Sequence, residues 1–164
     1  MTLRFLASGM VGLLVVAGIV GGGLYLNRGS HIEIQGSIRK VRTQAVDDNS
    51  AILFIDFRFV NPSNYPFVVR SVDVFLEDGG GREHAGMMVS EADARRLFQY
   101  YPLLGQKYNE SLLIRARIEP HQMLDRMVSA RFEMNEAKLE ARKRLRIRVE
   151  DVDGAVSELV EGAP

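Results

Sequence analysis

The sequence predicts an all-β protein, an immunoglobulin- or fibronectin-III-like β-sandwich with one short helix, preceded by an N-terminal transmembrane helix. Three observations predict it. Residues 5–26 carry no charge, apolar residues beyond residue 30 recur with a period of two, and Asn, Asp, Gly and Pro fill the gaps between these runs. The expected organisation is a signal anchor over 1–28, a linker over 29–31, a sandwich over 32–151 and a fraying tail over 152–164.

Composition narrows the function classes. A chain of 164 residues, 46% hydrophobic, has one domain's length and enough apolar mass for a core. Its 21 Lys+Arg balance 21 Asp+Glu, which argues against a nucleic-acid binder. The absence of Cys removes disulfides, thiolate metal sites, thiol nucleophiles and a lipid-modified cysteine.

The uncharged run is FLASGMVGLLVVAGIVGGGLYL. As a helix it would span about 33 Å, enough for a hydrocarbon core of about 30 Å. Arg4 and Arg28 bracket it, and Tyr25 stands where an interfacial aromatic belongs. Its length favours retention, with the lipid bilayer as partner through residues 5–26. The alternative is secretion after signal-peptide cleavage near Gly23, where small residues occur but no Ala-x-Ala does. The short N-terminal tail favours a single-pass protein with its C-terminal domain outside the cytoplasm, periplasmic in a Gram-negative bacterium. Arg28, Arg39, Lys40 and Arg42 pull the other way. Gly18 and Gly22 have the spacing of a dimerisation face, so a homodimer through the membrane helix is one expectation; glycine's abundance in such helices is the plainer reading.

The strands follow in order. Residues 32–38 open the domain with Ile32 and Ile34. Leu53, Ile55, Phe57 and Phe59 alternate with Phe54, Asp56 and Arg58, giving one buried and one mostly polar face. Val72, Val74 and Leu76 do the same, as do Leu112, Ile114, Ala116 and Ile118. Val128, Ala130, Phe132 and Met134 form another set, and Leu145, Ile147 and Val149 the last; residues 85–89 could add a strand. Turns are expected at Asp47–Ser50, Asn61–Pro66, Asp78–Gly81 and Asp151–Gly154. Ser90-Glu91-Ala92-Asp93 has the form of a helix start, and Pro102 ends that helix, which is expected to cross one end of the sandwich. Residues 135–142 fit either a helix of one or two turns or a strand extension.

The stretch IDFRFVNPSNYPFVVRSVDVFLEDGGG, following a membrane run, resembles the group-2 late-embryogenesis-abundant family, or water-stress and hypersensitive-response domain. The resemblance covers about residues 32–120. Asn61 and Pro62 take the positions of the family's Asn-Pro, while Ser63-Asn64 departs from its third Asn by one position. The resemblance implies an immunoglobulin- or fibronectin-like sandwich and a non-enzymatic, stress-protective role. Read physically, Asn61 is held extended by Pro62 and can bond nearby backbone where the strand stops.

Candidate chemistry is sparse. His31, His84 and His121 form no metal-binding pair, and no nucleophile elbow or Walker loop occurs, so no catalytic residue, metal or cofactor is expected. Asp151-x-Asp153-Gly154 resembles a calcium-loop opening, but the rest of that loop is missing and a plain turn fits better. Arg144, Arg146 and Arg148 stand on one strand face at about 6.7 Å spacing and could touch an anionic surface, unless neighbouring carboxylates neutralise them. Tyr65, Phe98, Tyr100, Tyr101 and Tyr108 could form a protein-interaction patch or cap the core. The expected function is a membrane-anchored, non-enzymatic module at the cell envelope, stress-protective as the resemblance implies. The alternatives are a scaffold or assembly subunit of an envelope complex and an enzyme of unrecognised type.

Overall fold

Alternating apolar residues close into two antiparallel sheets in the computed structural model, which describes residues 33–162 together with Gly18. The run 5–26, its dimerisation spacing and the Gly23 cleavage alternative lie outside the described residues. Among the described residues no helix is long and apolar enough to cross a membrane.

The strands are β1 (Gln35–Asp47), β2 (Ser50–Val60), β3 (Phe67–Glu77), β4 (Glu83–Ala85), β5 (Met87–Met88), β6 (Arg117–Ile118), β7 (Met123–Phe132), β8 (Arg144–Asp151) and β9 (Val156–Val160). The helices are α1 (Glu91–Tyr100) and α2 (Glu136–Glu140), and a 3-10 turn spans Pro102–Leu104. One sheet has the order β1-β2-β7-β5; the other has β4-β3-β8-β9, with β6 on the same β3 edge as β4.

Four predicted alternating runs supply the core between the sheets. Leu53, Ile55, Phe57 and Phe59 meet Val72, Val74 and Leu76, Val128, Ala130 and Phe132, and Leu145, Ile147 and Val149 in one buried cluster. Each of these larger side chains contributes about 1.5–3 kcal/mol by leaving water. The expected turns form at Asp47–Ser50, where Asp47 accepts from Asn49 and Ser50, and at Asp78–Gly81 and Asp151–Gly154.

Several expectations are corrected. The second face of β2 is not solvated: Ile52, Phe54 and Met127 form a second core with Ala94, Phe98 and Leu104. Helix α1, capped by Ser90, therefore lies over the outer face of the first sheet instead of crossing an end. Residues 112–118 are not one strand. Leu112 bonds β7, Arg115 and Ala116 bond β3, and Ile114 is exposed. The tail expected from residue 152 contains β9, whose Leu159 and Ser157 are buried against β8. Residues 135–142 resolve in favour of a helix, capped by Asn135.

Residues 83–89 also change sheets. Gly86 donates to the Val74 carbonyl of one sheet, and three residues later Val89 donates to Ser129 of the other. A Cβ on Gly86 would lie 2.7 Å from the Phe132 ring and 2.8 Å from Ala130. Gly86→Ala is expected to destabilise by about 1–3 kcal/mol in urea denaturation. Part of that cost should disappear in a Phe132→Leu background, while the approach to Ala130 remains.

Candidate functional site

The outer layer on the first sheet is organised by a buried ion pair. Arg42 of β1 and Asp56 of β2 share a sheet face, and both side chains are more than nine-tenths buried. Arg42 donates to Asp56 and to the carbonyls of Leu104 (3.0 Å) and Gln106 (2.9 Å), and its guanidinium lies 4.6 Å from the Phe98 ring centroid. Asn109 donates to the second Asp56 oxygen at 2.8 Å. A charge pair taken out of water needs such satisfaction, and the loop over 104–109 supplies most of it; Arg42 Nε is buried with no hydrogen-bond partner among the described residues. Sequence reading put Asp56 on a solvated face. The signal it passed over is an acid inside an otherwise apolar strand, with an arginine at matching parity on its neighbour.

Glu91, in the first turn of α1, holds the far end of that loop. It accepts from Lys107 (2.8 Å), the Ser111 backbone N–H (2.9 Å) and Arg95 (3.2 Å). Burial opposes its ionisation, but the hydrogen bonds from Lys107, Ser111 and Arg95 outweigh that and hold its pKa at about 2.

Beyond Ser111 lies a cleft of about 600 Å³ at the open edge between the sheets. Val72, Leu112 and Val128 wall it, and Ser71, Asp73 and Glu91 stand at its rim. Among the described residues, the hydroxyls of Ser111 and Ser129 are buried there without a hydrogen-bond partner. Arg115 borders this segment with a φ of 67°, a left-handed conformation unusual for a side chain of its size. Reading residues 112–118 as a regular strand hid the cleft.

The residues singled out from sequence take distinct places. Asn61 is fully buried; its amide donates to the carbonyls of Tyr65 (2.7 Å), Ile118 (3.2 Å) and Glu119 (3.3 Å), and its oxygen accepts from Ser63. It joins the β2–β3 turn to the β6–β7 turn, and Pro62 directs the chain away from the ladder. The tyrosine patch is corrected in part: Phe98 is buried edge-on against Phe54, and Tyr101 packs on the second core. Tyr65, Tyr100 and Tyr108 are exposed, Tyr65 in the Asn61 turn and the other two on the α1 layer. Arg146 pairs with Glu83 (2.7 Å) and Glu158 (3.1 Å), while Arg144 and Arg148 stand opposite Glu77 and Asp73. The arginine face is thus interleaved with carboxylates.

Acidic turns are structural. Both Asp151 oxygens accept backbone N–H groups, from Val68 (2.6 Å) and Asp153 (2.8 Å), so the segment is a capped turn. Asp78 sits 2.9 Å from His84 Nε2; this contact, with the N–H groups of Arg82 and Gly80, holds its carboxyl at about 2. His121 Nε2 lies 3.0 Å from Asn64 Oδ1. Among the described residues no group of three or more His, Asp or Glu is placed to hold a metal ion.

Two outcomes test the layer. Asp56→Leu leaves Arg42 buried and uncompensated and is expected to cost about 3–5 kcal/mol in chemical denaturation, whereas Arg42→Met with Asp56→Leu recovers most of it. A depressed carboxyl stabilises the fold above its unfolded pKa and loses that contribution as pH falls. Stability should therefore decline from about pH 4.5 toward pH 2, and Glu91→Gln should flatten this window relative to wild type in acid titration followed by circular dichroism. Asp78 titrates in an overlapping range, so the difference between the two chains is the readout.

No family model matches the chain, and no curated protein matches it. Among solved structures, an uncharacterized beta-sandwich protein from Clostridium difficile 630 is similar at a TM-score of 0.42 with 7% identity, covering 78% of this chain and 85% of that one. The archaellum periplasmic stator protein FlaG from Sulfolobus acidocaldarius is similar at a TM-score of 0.34 with 8% identity, covering 77% and 98%. The assignment of a β-sandwich rests on the two sheets described above.

Proposed function

We propose that the chain is a membrane-anchored, non-enzymatic binding module at the cell envelope, acting as a scaffold or assembly subunit. In this reading residues 5–26 tether an immunoglobulin- or fibronectin-III-like sandwich outside the cytoplasm, and the sandwich engages a protein partner. The length of the uncharged run supports the tether. The commitment of Asn61, Asp151, Asp56 and Glu91 to structural bonds supports a role without catalysis.

The observation that carries the reading is the α1 layer. Tyr100 is 78% exposed, Leu103 99% and Tyr108 72%, on backbone pinned from beneath by Phe98, Leu104 and the Arg42 hydrogen bonds. Aromatic and aliphatic anchors on a rigid base lose little freedom on binding and are the usual carriers of interface energy. A stress-protective role is the second reading; the Asn61-Pro62 joint, in the segment resembling the group-2 family, favours it.

The two separate in one experiment on the full-length chain in mild detergent. A scaffold should carry a protein of fixed stoichiometry, and Tyr100→Ala with Leu103→Ala should release it, at a cost of about 2 kcal/mol or more in binding. The same exposed substitutions should change folding stability by less than about 0.5 kcal/mol. Protection of a test enzyme through drying, equal in both chains and without a bound protein, would decide for the stress role.

A further inference from the structure

We propose that the cleft at the β3 edge docks an extended segment of a protein partner. The segment pairs its backbone with Val72, sets one apolar side chain between Leu112 and Val128, and presents a lysine or arginine to Asp73. This deepens the binding-module reading and rests on it.

The ladder around Val72 is interrupted. On one side the Val74 carbonyl accepts from Gly86 at 2.8 Å; on the other, Val69 donates to Ala116 at 3.0 Å and accepts from Arg115 at 2.7 Å. Backbone groups alternate along a strand, so the N–H and C=O of Val72 point the same way as those of Val74. β4 reaches only Phe75 and β6 only Val68, and no other described segment bonds Val72 at this edge.

The flanking segments show what fits the gap. Residues 86–89 bond Val74 of one sheet and Ser129 of the other, and residues 112–115 bond Met127 and then Val69. The chain thus closes this edge twice with extended backbone that bridges both sheets. Those partners are taken; between the two bridges the backbone groups of Val72 are left without a bond among the described residues. Ser129 is 1% exposed, and among the described residues its hydroxyl has no hydrogen-bond partner. Leu113, Ile114 and Met88 expose apolar surface at the lips. The charge at the rim selects the occupant. Asp73 is exposed and, although Arg148 stands opposite it on β8, forms no ion pair within 4 Å among the described residues, while Glu91 is neutralised by Lys107 and Arg95; the mouth favours a basic neighbour beside the apolar anchor.

The probe is a panel of short acetylated and amidated peptides of alternating valine and threonine, flanked by lysine, glutamine or glutamate, added to the full-length chain in detergent. Lysine-flanked peptides are expected to bind at least about tenfold tighter than glutamate-flanked ones at low salt, and to slow hydrogen exchange of the Val72 amide. Val72→Pro removes that N–H and should abolish binding. If it fails to fold, the exposed substitution Asp73→Asn should erase the lysine preference while leaving the melt unchanged. Peptide binding that leaves Val72 exchange unaltered overturns the proposal. So does filling of the cleft by the neutral dye N-phenyl-1-naphthylamine, with no peptide able to compete. Tyr100→Ala with Leu103→Ala should leave peptide binding intact. A partner released by that pair, in a chain that binds no peptide, refutes the docking site and spares the binding-module reading.

Discussion

A charge pair sealed under the α1 layer decides how the outer face of the first sheet is built. Arg42 and Asp56 cannot sit in an apolar layer alone, so Leu104, Gln106 and Asn109 must stay where their polar groups reach. That requirement fixes the loop after the 3-10 turn. The fixed loop in turn places Leu103 and Tyr108 outward and brings Lys107 against Glu91. Glu91 then holds the Ser111 backbone, which forms one wall of the edge cleft. Exposed aromatics and cleft thus depend on a single pair for position. Such pairs add little net stability against an apolar replacement; what they contribute here is a loop with one conformation.

The edge itself is managed unusually. An open strand edge invites pairing with other chains, and this sandwich covers most of the β3 edge with two segments that cross between sheets. Each crossing needs a backbone concession. Gly86 passes so close to Phe132 and Ala130 that a side chain would collide, and Arg115 adopts a positive φ. With both crossings in place, the Val72 register lies unpaired between them among the described residues.

Period-two patterning made the central strands legible because their inward faces meet only one another. Leu53 to Phe59, Val72 to Leu76 and Leu145 to Val149 all bury as their alternation demands. The Ser90 cap and Pro102 likewise bounded α1, since both act through local backbone geometry. Alternation failed where a second layer or a sheet change intervened. Ile52, Phe54 and Asp56 read as a mixed solvent face, yet a helix more than thirty residues away covers them. Leu112 to Ile118 kept strand parity while the chain moved from β7 to β3, so Ile114 faces water. Val156 to Val160 was too short and too close to the terminus to register as a strand, although β8 pairs all of it. For the candidate site, the sequence left the tyrosines open between an exposed patch and a cap on the core, and it gave no sign of the cleft, which lies between two irregular segments.

Local rules of good structure are obeyed through most of the sandwich; the exceptions include Arg42 Nε and His121 elsewhere and a group of them beside the edge cleft. Asn61, Asp151 and Asp78 spend their polar atoms on backbone, so their regions carry no unmet demand. Around the cleft, two buried hydroxyls lack partners, a strand position lacks its ladder and an arginine holds a left-handed backbone. Any one of these alone would be a minor flaw. Their convergence on one concave edge, walled by apolar side chains, is the pattern expected where a fold keeps bonding capacity for something outside itself. The aromatic layer differs in kind: it carries exposed apolar area over the buried Arg42–Asp56 pair, and its one unsatisfied polar atom among the described residues, Arg42 Nε, is sealed beneath it. The two surfaces thus differ physically, the layer by exposed apolar area on a helix and its loop, the cleft by an unpaired strand position between two chain crossings.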